Sequence, residues 1–261
     1  MTAEALAAGQ PAAELVDAGV AVAGRIRLQP ATLTVPRGTV TAVVGRNGSG
    51  KSTLLGVIAG EIVPSSGRAL VDGVEVGRLG ARALARRRAL LAQDTRVSFG
   101  FTVRDVVGWG RAPWRGTPQA ADDADIVRAA IAAQSLDDLA DRPVTSLSGG
   151  ERKRVHIARV TAQQAGLLLL DEADSDLDLV GRRTVDEAAR EHAARGGTVV
   201  VVSHDVTRIS HACDRVLLMH HGRVLAHGRS VDVLSEDLLS QAFDAPVRVA
   251  RDEGGVVVRV R

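Results

Sequence analysis

The sequence has 261 residues, a formal net charge of +2, 45% hydrophobic residues and 25% charged residues. These values are typical of an ordinary soluble globular protein with a sizeable core, and the small net charge gives no case for a polyanionic partner. Aromatic residues make up 2% of the chain and tyrosine is absent, so we expect no surface that stacks on nucleic-acid bases.

The chain is predicted to begin with a loose tail, residues 1–13, that lacks the basic and apolar segments of a signal peptide. No apolar run approaches the roughly 20 residues that a membrane-spanning helix needs, so we expect an intracellular protein. The single cysteine, Cys213, excludes an internal disulfide and a cysteine-rich metal site. Partial alternation of polar and apolar residues then predicts a small antiparallel sheet with strands at Leu15–Val22, Ile26–Leu28 and Ala31–Val35.

A complete phosphate-binding P-loop, GxxxxGK[ST], follows between a predicted buried strand, Thr39–Val44, and a predicted helix, Thr53–Ala59. In this context the backbone N–H groups of the loop converge on phosphate, and the positive end of the helix faces the same charge. Lys51 is expected to reach the β- and γ-phosphates, and the Ser52 hydroxyl to hold Mg²⁺. The residues predicted here to bind ATP are Gly45, Arg46, Asn47, Gly48, Ser49, Gly50, Lys51, Ser52 and Thr53.

The next segments predict a turn, the two strands of a hairpin around Asp72-Gly73, a short arginine-rich helix and a buried strand that ends at Gln93. They are, in order, Pro64–Gly67, Ala69–Val71, Val74–Val76, Ala81–Arg88 and Ala89–Ala92. Arginines recur every four residues at Arg78, Arg82 and Arg86, and a solvated helix face explains them better than contact with lipid or with a partner.

From Asp94 to Arg159 the sequence predicts helices and no strand; afterwards apolar strands alternate with helical segments, which is typical of a parallel sheet covered on both faces. The predicted helices are Val103–Gly108, Asp122–Leu136 and Glu151–Gln163, and the later strands are Leu167–Leu170, Thr198–Val202 and Arg215–Met219. His220 and His221 precede Gly222, where a turn between strands is favoured over a metal site. Alternating valines from Val247 to Val260 predict a terminal hairpin.

Two further motifs carry chemistry. Asp171 ends an apolar strand, where a carboxylate can orient Mg²⁺, and the adjacent Glu172 is the candidate general base for an attacking water. Ser148 and Glu151 form a capping-box pattern at a helix start. Capping does not explain the glycine pair between them, which predicts a second anion site. Two phosphate sites on one chain, only one of them a P-loop, suggest that they meet across a dimer.

Residues 147–151, LSGGE, resemble the signature motif of ATP-binding cassette (ABC) ATPases, and the resemblance extends along nearly the whole chain. Gln93 matches the Q-loop glutamine of that family, His204 its switch histidine, and residues 175–178 its D-loop, with Asp178 as the aspartate. The resemblance implies an α/β P-loop NTPase fold with a mostly parallel core sheet, a small antiparallel β subdomain and an inserted helical subdomain. It implies one domain, residues 14–261, with a core of about 14–93 and 160–261 and an insert of about 94–159.

The resemblance also implies the site and its partner. The catalytic residues would be Glu172, His204 and Gln93, and those that hold Mg²⁺ would be Ser52, Gln93 and Asp171. A second copy, paired head to tail, would cover the γ-phosphate of ATP with Ser148, Gly149 and Gly150. The sequence departs from the family pattern at two positions. Val22 stands near the position of the aromatic residue that usually stacks on adenine, and Ala173 replaces a usual proline in the loop after Glu172.

Residues 101–114 and 237–249 resemble the corresponding parts of importers for iron-siderophores, haem and cobalamin. The resemblance implies an ATPase at the cytoplasmic face of the cell membrane, bound to an integral membrane permease, coupled indirectly to a substrate-binding protein, and without a nucleic-acid partner. Three alternatives remain open: an ABC transporter for other cargo, such as a metal ion or an exported molecule, a soluble ABC ATPase that acts on ribosomes or DNA, and a nucleotide-binding scaffold without catalysis.

Overall fold

A six-stranded sheet forms the centre of the computed structural model, which describes residues 9–93, 97, 99–174, 177–252 and 254–260. The strand order is β10-β9-β3-β8-β7-β6, and β9 to β6 run parallel while β10 pairs antiparallel with β9. These strands are β3 (Val40–Val44), β6 (Arg88–Leu91), β7 (Leu167–Asp171), β8 (Thr198–Val202), β9 (Arg215–His220) and β10 (Arg223–Arg229).

The middle strands of the sheet are buried on both faces. Every residue of β3, β7 and β8 is buried, as expected for strands covered on both sides. Alternate residues enter two separate hydrophobic clusters: Val43 and Leu169 pack on one side of the sheet, and Val44 and Leu170 on the other. The predicted mostly parallel core sheet is therefore confirmed.

A second sheet, antiparallel and of four strands in the order β2-β1-β4-β5, packs into the same hydrophobic cluster as the P-loop helix. Its strands are β1 (Ala13–Val22), β2 (Arg25–Val35), β4 (Ser66–Val71) and β5 (Val74–Glu75). The prediction of two strands at Ile26–Leu28 and Ala31–Val35 was wrong, because β2 runs continuously through Pro30. Proline is tolerated here because β2 lies at the edge of this sheet, where one side needs no backbone donor.

Nine α-helices occur in the described ranges, together with several short 3₁₀ turns. They are α1 (Lys51–Ala59), α2 (Ala81–Arg87), α3 (Val103–Gly108), α4 (Asp123–Ala132), α5 (Gly149–Ala162), α6 (Leu179–Ala194), α7 (Val206–Ala212), α8 (Ser230–Val233) and α9 (Glu236–Phe243). None of the helices in these ranges is long and apolar enough to cross a membrane.

Helices α3, α4 and α5 share a third hydrophobic cluster that includes Val106, Ile131 and Val155. The predicted helix Asp122–Leu136 is shorter than expected at both ends. A 3₁₀ turn precedes α4, and Ser135, with a φ of 51°, stops the helical path after it.

The arginine-rich segment differs from the predicted solvated face. Arg78 lies in a 3₁₀ turn outside α2, so the predicted spacing does not fall on one helix. Among the arginines of α2 only Arg82 is exposed, whereas Arg86 donates to the Pro113 carbonyl over 2.8 Å and lies above the Trp114 ring. These contacts show that part of the segment anchors the helical region.

The C-terminal hairpin is present as predicted, with β11 (Val247–Asp252) paired to β12 (Gly255–Val260), and β12 packs against α7. Ser210 of α7 holds it by accepting from the backbone N–H of Val256 over 2.9 Å.

Arg111 is the most enclosed cation of the helical region, with 3% of its surface exposed. Its guanidinium donates to the carboxylate of Asp123 over 2.7 Å and to the Ala162 carbonyl over 2.9 Å, and it stacks beside Trp114. It therefore ties the 3₁₀ turn Trp109–Trp114 to the start of α4 and the end of α5.

We expect Arg111→Ala to lower the free energy of unfolding by about 3–5 kcal/mol, because it leaves Asp123 and buried carbonyls without their partner. Arg128, in an exposed pair with Asp125, provides the matched control, and Arg128→Ala should stay within about 0.5 kcal/mol of the parent. Urea unfolding followed by circular dichroism measures both. Equal losses in the two variants would contradict the structural role of Arg111.

Candidate nucleotide-binding site

The carboxyl ends of four neighbouring parallel strands meet at one edge of the central sheet. There β3 leads into the P-loop, β6 towards Gln93, β7 into Asp171 and Glu172, and β8 towards His204. Ligands bind at this edge in open α/β sheets. The edge opens into a cleft of about 510 Å³ lined by Ile26, Arg27, Asn47, Gly48, Gly50, Lys51, Ser52, Thr53, Gln93, Glu172, His204, His221 and Gly222.

The P-loop path depends on glycine at two tight positions. Gly45 has a φ of 153° and Gly50 a φ of 101°. A Cβ on Gly45 would lie 2.3 Å from the Met219 carbonyl oxygen, and one on Gly50 2.8 Å from that of Arg27. Gly50 precedes α1 and supplies no side-chain cap, and the first turn holds no acidic residue. The N–H groups at this helix start therefore lack a side-chain acceptor and suit an anion.

Lys51 is buried at the first position of α1. Its ammonium donates to the backbone carbonyls of Gly45 over 2.9 Å and Arg46 over 3.0 Å, so it lies folded against its own loop. Burial lowers the pKa of Lys51, and the nearby carboxylates of Glu172 and Asp171 oppose that shift. A triphosphate supplies the negative charge that this buried cation needs.

Asp171 is a buried carboxylate at the end of β7. Its Oδ1 has no hydrogen-bond partner within the part of the chain that the structure describes. Burial raises the pKa of Asp171, and the hydroxyl of Ser52 and the charge of Lys51 oppose that shift. A carboxylate oxygen beside a hydroxyl is a donor set that suits Mg²⁺, so these two residues fit the predicted metal.

Glu172 is held from three directions. Its Oε2 accepts from the Gln93 amide over 2.8 Å, its Oε1 pairs with Nε2 of His204 at 2.5 Å, and its carbonyl accepts from Lys153 over 3.1 Å. The residue has a φ of 49°, which non-glycine residues adopt mostly where the surrounding structure imposes it, often at functional sites. The structure thus brings Gln93, Glu172 and His204 together.

A buried network behind these residues joins the turn after β7 to the loop after β8. The hydroxyl of Ser203 donates to Asp174 over 2.8 Å, and the guanidinium of Arg208 bonds both Asp174 and Asp186. Burial raises the pKa of Asp186, and Arg208 opposes that shift. The sequence did not point to this network, because its members are separated along the chain and follow no motif.

The predicted residues at the start of α5 do not line the cleft. Ser148 caps the helix: its hydroxyl donates to Glu151 over 2.7 Å and accepts from the Glu151 N–H over 3.3 Å. The pKa of Glu151 is lowered because its carboxylate accepts hydrogen bonds from Ser148, chiefly from the backbone N–H and then from the hydroxyl. The capping box is confirmed, and Ser148, Gly149 and Gly150 lie apart from the phosphate loop of their own chain.

Two other sequence expectations concern the flanks of the site. Asp178 caps α6 by accepting from the Gly181 N–H over 2.7 Å, while Ser175 and Asp176 of the predicted D-loop lie outside the described residues. Val22 is exposed and does not line the cleft, whereas Ile26 and His221 do. Ile26 is 65% exposed on an edge strand, a position that only the structure reveals.

Comparison with known proteins identifies what the chain resembles. A family model described as ABC transporter matches residues 28–175. The chain is 43% identical to the hemin import ATP-binding protein HmuV of Rhodococcus jostii (strain RHA1), over 88% of the chain and 80% of that relative. It is 44% identical to the protein of the same name from Streptomyces coelicolor, over 88% of the chain and 82% of that relative. Among solved structures, a metal-chelate type ABC transporter in an inward-facing conformation aligns with a TM-score of 0.79 at 26% identity, covering 96% of the chain and 97% of its own.

We expect Gly45→Ala to weaken ATP binding by at least about fivefold. A Cβ at this position forces the loop away from the Met219 carbonyl, and a return to the strained path that receives phosphate costs about 1–3 kcal/mol. Gly77→Ala is the matched control, since Gly77 is exposed and a Cβ there meets nothing within 4 Å. Isothermal titration with a non-hydrolysable ATP analogue measures both variants. Unchanged affinity of Gly45→Ala would contradict the role given to the loop.

Proposed function

Since this chain belongs to the ATP-binding subunits of ABC transporters, which hydrolyse ATP to drive transport, we propose that it powers the import of haem through a separate membrane permease. The main support for ATP hydrolysis is that five side chains converge at one edge of the sheet: Lys51, Asp171, Gln93, Glu172 and His204. The names of relatives that match 88% of the chain support haem as cargo.

In the proposed site the P-loop N–H groups and Lys51 bind the phosphates of ATP. Ser52, Gln93 and Asp171 would hold Mg²⁺, which neutralises charge on the β- and γ-phosphates when bound. Lys51 contacts neutral loop carbonyls in this structure. Exchanging these acceptors for charged phosphate oxygens is favourable for its ammonium group.

Hydrolysis requires a water aligned with the γ-phosphorus, and Glu172 is placed to take its proton. As the water oxygen bonds to phosphorus, the bond from phosphorus to the β-phosphate oxygen breaks, and the water proton passes to the Glu172 carboxylate. Gln93 and His204 both bond this carboxylate, so they hold its orientation. His204 lines the same cleft and can donate to the γ-phosphate when ATP fills it.

The second half of the site is proposed to come from another copy of the chain. Ser148, Gly149 and Gly150 carry a helix start suited to an anion, and they lie outside the cleft of their own chain. A head-to-tail pair would place this helix start over the γ-phosphate on the partner. ATP would then bridge the two copies, and release of phosphate would remove the bridge.

The permease is proposed to dock on the insert of about residues 94–159. This insert separates the two core parts, about residues 14–93 and 160–261, and the tail 1–13 precedes them. Phe101 contacts Phe99 and Trp109 edge to face, with centroid distances of 6.3 and 5.1 Å. All three are exposed, in a chain with only five aromatic residues (three Phe and two Trp). An exposed apolar cluster of this kind marks an interaction surface, and it would hold the subunit at the cytoplasmic face of the membrane.

We expect the complex of this chain with its permease and binding protein to hydrolyse ATP faster when haem is added than when a ferric siderophore or cobalamin is added. Steady-state phosphate release from the reconstituted complex measures this, with the Glu172→Gln complex as the background. Stimulation by cobalamin or a siderophore alone would contradict haem as cargo. Co-purification with ribosomes or DNA instead of a permease would favour the non-transport alternative.

We expect Glu172→Gln to keep ATP binding but to slow hydrolysis by about 10²–10⁴-fold, because the amide keeps the side-chain shape and cannot accept the proton. In the presence of ATP a dimer of this variant should then accumulate, and size-exclusion chromatography with light scattering measures it. Glu187→Gln is the matched control, since Glu187 pairs on the surface of α6 with Arg183. Near-normal turnover of Glu172→Gln would contradict the assignment of the base.

A further inference from the structure

Three potential metal ligands meet beside the P-loop: His220, His221 and Asp244. Nε2 of His220 lies 3.5 Å from Oδ1 of Asp244, and Nε2 of His221 lies 3.8 Å from its Oδ2. The two imidazole rings are 4.0 Å apart between centroids. Across the described ranges this is the one group of three His, Cys, Asp or Glu side chains whose ligand atoms all lie within 4.8 Å of one another.

The backbone, and not a chance rotamer, directs the two histidines to the same side. Neighbouring residues of a strand point to opposite faces. His220 ends β9, and His221 turns out of the strand with a φ of 45°. Asp244 lies opposite at the C-terminal cap of α9, also left-handed, with a φ of 48°. Two non-glycine residues in this sparsely populated region face each other, an arrangement that occurs where the fold imposes the geometry.

The donor set suits a transition metal ion. Two imidazole nitrogens and one carboxylate oxygen are ligands that Zn²⁺ and similar divalent ions accept, with water at the remaining position. Ligand atoms around a tetrahedral Zn²⁺ lie about 3.3 Å apart, given metal–ligand distances near 2.0–2.1 Å. The two measured separations, 3.5 and 3.8 Å, are close to that value, so small side-chain rotations suffice. The His221 side chain is 76% exposed and gives the ion access.

We propose that His220, His221 and Asp244 bind a divalent transition metal ion of the Zn²⁺ type, at a site separate from the Mg²⁺ of ATP. The ion competes with a P-loop residue, because Nη1 of Arg46 donates to Oδ2 of Asp244 over 2.7 Å. His221 also lines the nucleotide cleft. Metal binding therefore alters two contacts at the edge of the ATP site, which makes the ion a candidate regulator of nucleotide binding.

The test is a Zn²⁺ titration of the untagged full chain at pH 7.5 without nucleotide, by calorimetry, and a parallel Co²⁺ titration followed by visible absorption. We expect one tight equivalent and the d–d bands of a site with nitrogen ligands. His220→Ala and Asp244→Asn should each weaken binding by at least about tenfold. Asn tolerates the left-handed backbone of position 244 and can still accept from Arg46, so Asp244→Asn separates metal loss from misfolding.

Two control variants decide where the ion binds. His211→Ala removes an exposed histidine whose Nε2 pairs with Asp252, outside the His220–His221–Asp244 group, and it should leave the affinity for Zn²⁺ unchanged. His204→Ala should also leave the first equivalent unchanged. If His204→Ala removes that equivalent, the ion lies beside Glu172 and the proposal is wrong. It is equally wrong if the parent chain shows no tight equivalent, or if Asp244→Asn binds like the parent.

Competition with the P-loop has its own measurement. Arg46→Ala frees the Asp244 carboxylate from a half-exposed ion pair, which is worth little. Zn²⁺ affinity should therefore rise by about two- to fivefold, the range that such a pair corresponds to. An affinity equal to or lower than that of the parent chain would contradict the competition.

Discussion

The parallel register of the central sheet is the constraint on which the site depends. Backbone pairing sets Leu91 beside Leu170, Asp171 beside Val202, and Val202 beside Val43. The residues that follow each strand therefore emerge side by side, although they are far apart along the chain. The pairing holds because alternate side chains of each strand are buried in two different hydrophobic clusters, so a slip of one residue would exchange the two faces.

Glu172, directly after β7, has a strained backbone conformation. A non-glycine residue in the left-handed region costs on the order of 1–3 kcal/mol, and Glu172 is followed by a turn in which its own carbonyl bonds Lys153. The chain has only two lysines, and both contact this site: Lys51 from the P-loop and Lys153 from α5. Bonds from Gln93 and His204 then fix the carboxylate, so three separate segments, with Lys153, offset the strain at one residue.

The sequence predicted the parts of this protein whose patterns are local. The P-loop and its flanking strand and helix, the strand before Asp171 and the capping box at Ser148 each occupy a few consecutive residues. Features that depend on contacts between distant parts of the chain could not be predicted from the sequence. Two strands are predicted on either side of Pro30, where the structure has the single strand β2, whose edge position tolerates the proline. His220 and His221 indicated only a turn, because Asp244, which completes their cluster, comes more than 20 residues later on a separate helix.

Helix α5 connects the two proposed halves of the site. Its N-terminus, capped by Ser148, is the proposed anion site and lies outside the cleft of its own chain. Just over one turn later, Lys153 bonds the backbone carbonyl of Glu172 in that same chain. In the proposed dimer one helix therefore contacts the γ-phosphate on the partner and the catalytic turn of its own subunit. Because α5 is one continuous helix of 14 residues, a displacement of its N-terminus on phosphate release would be passed on to the contact of Lys153 with Glu172. In that dimer the two proposed sites would be mechanically linked without any contact between their nucleotides.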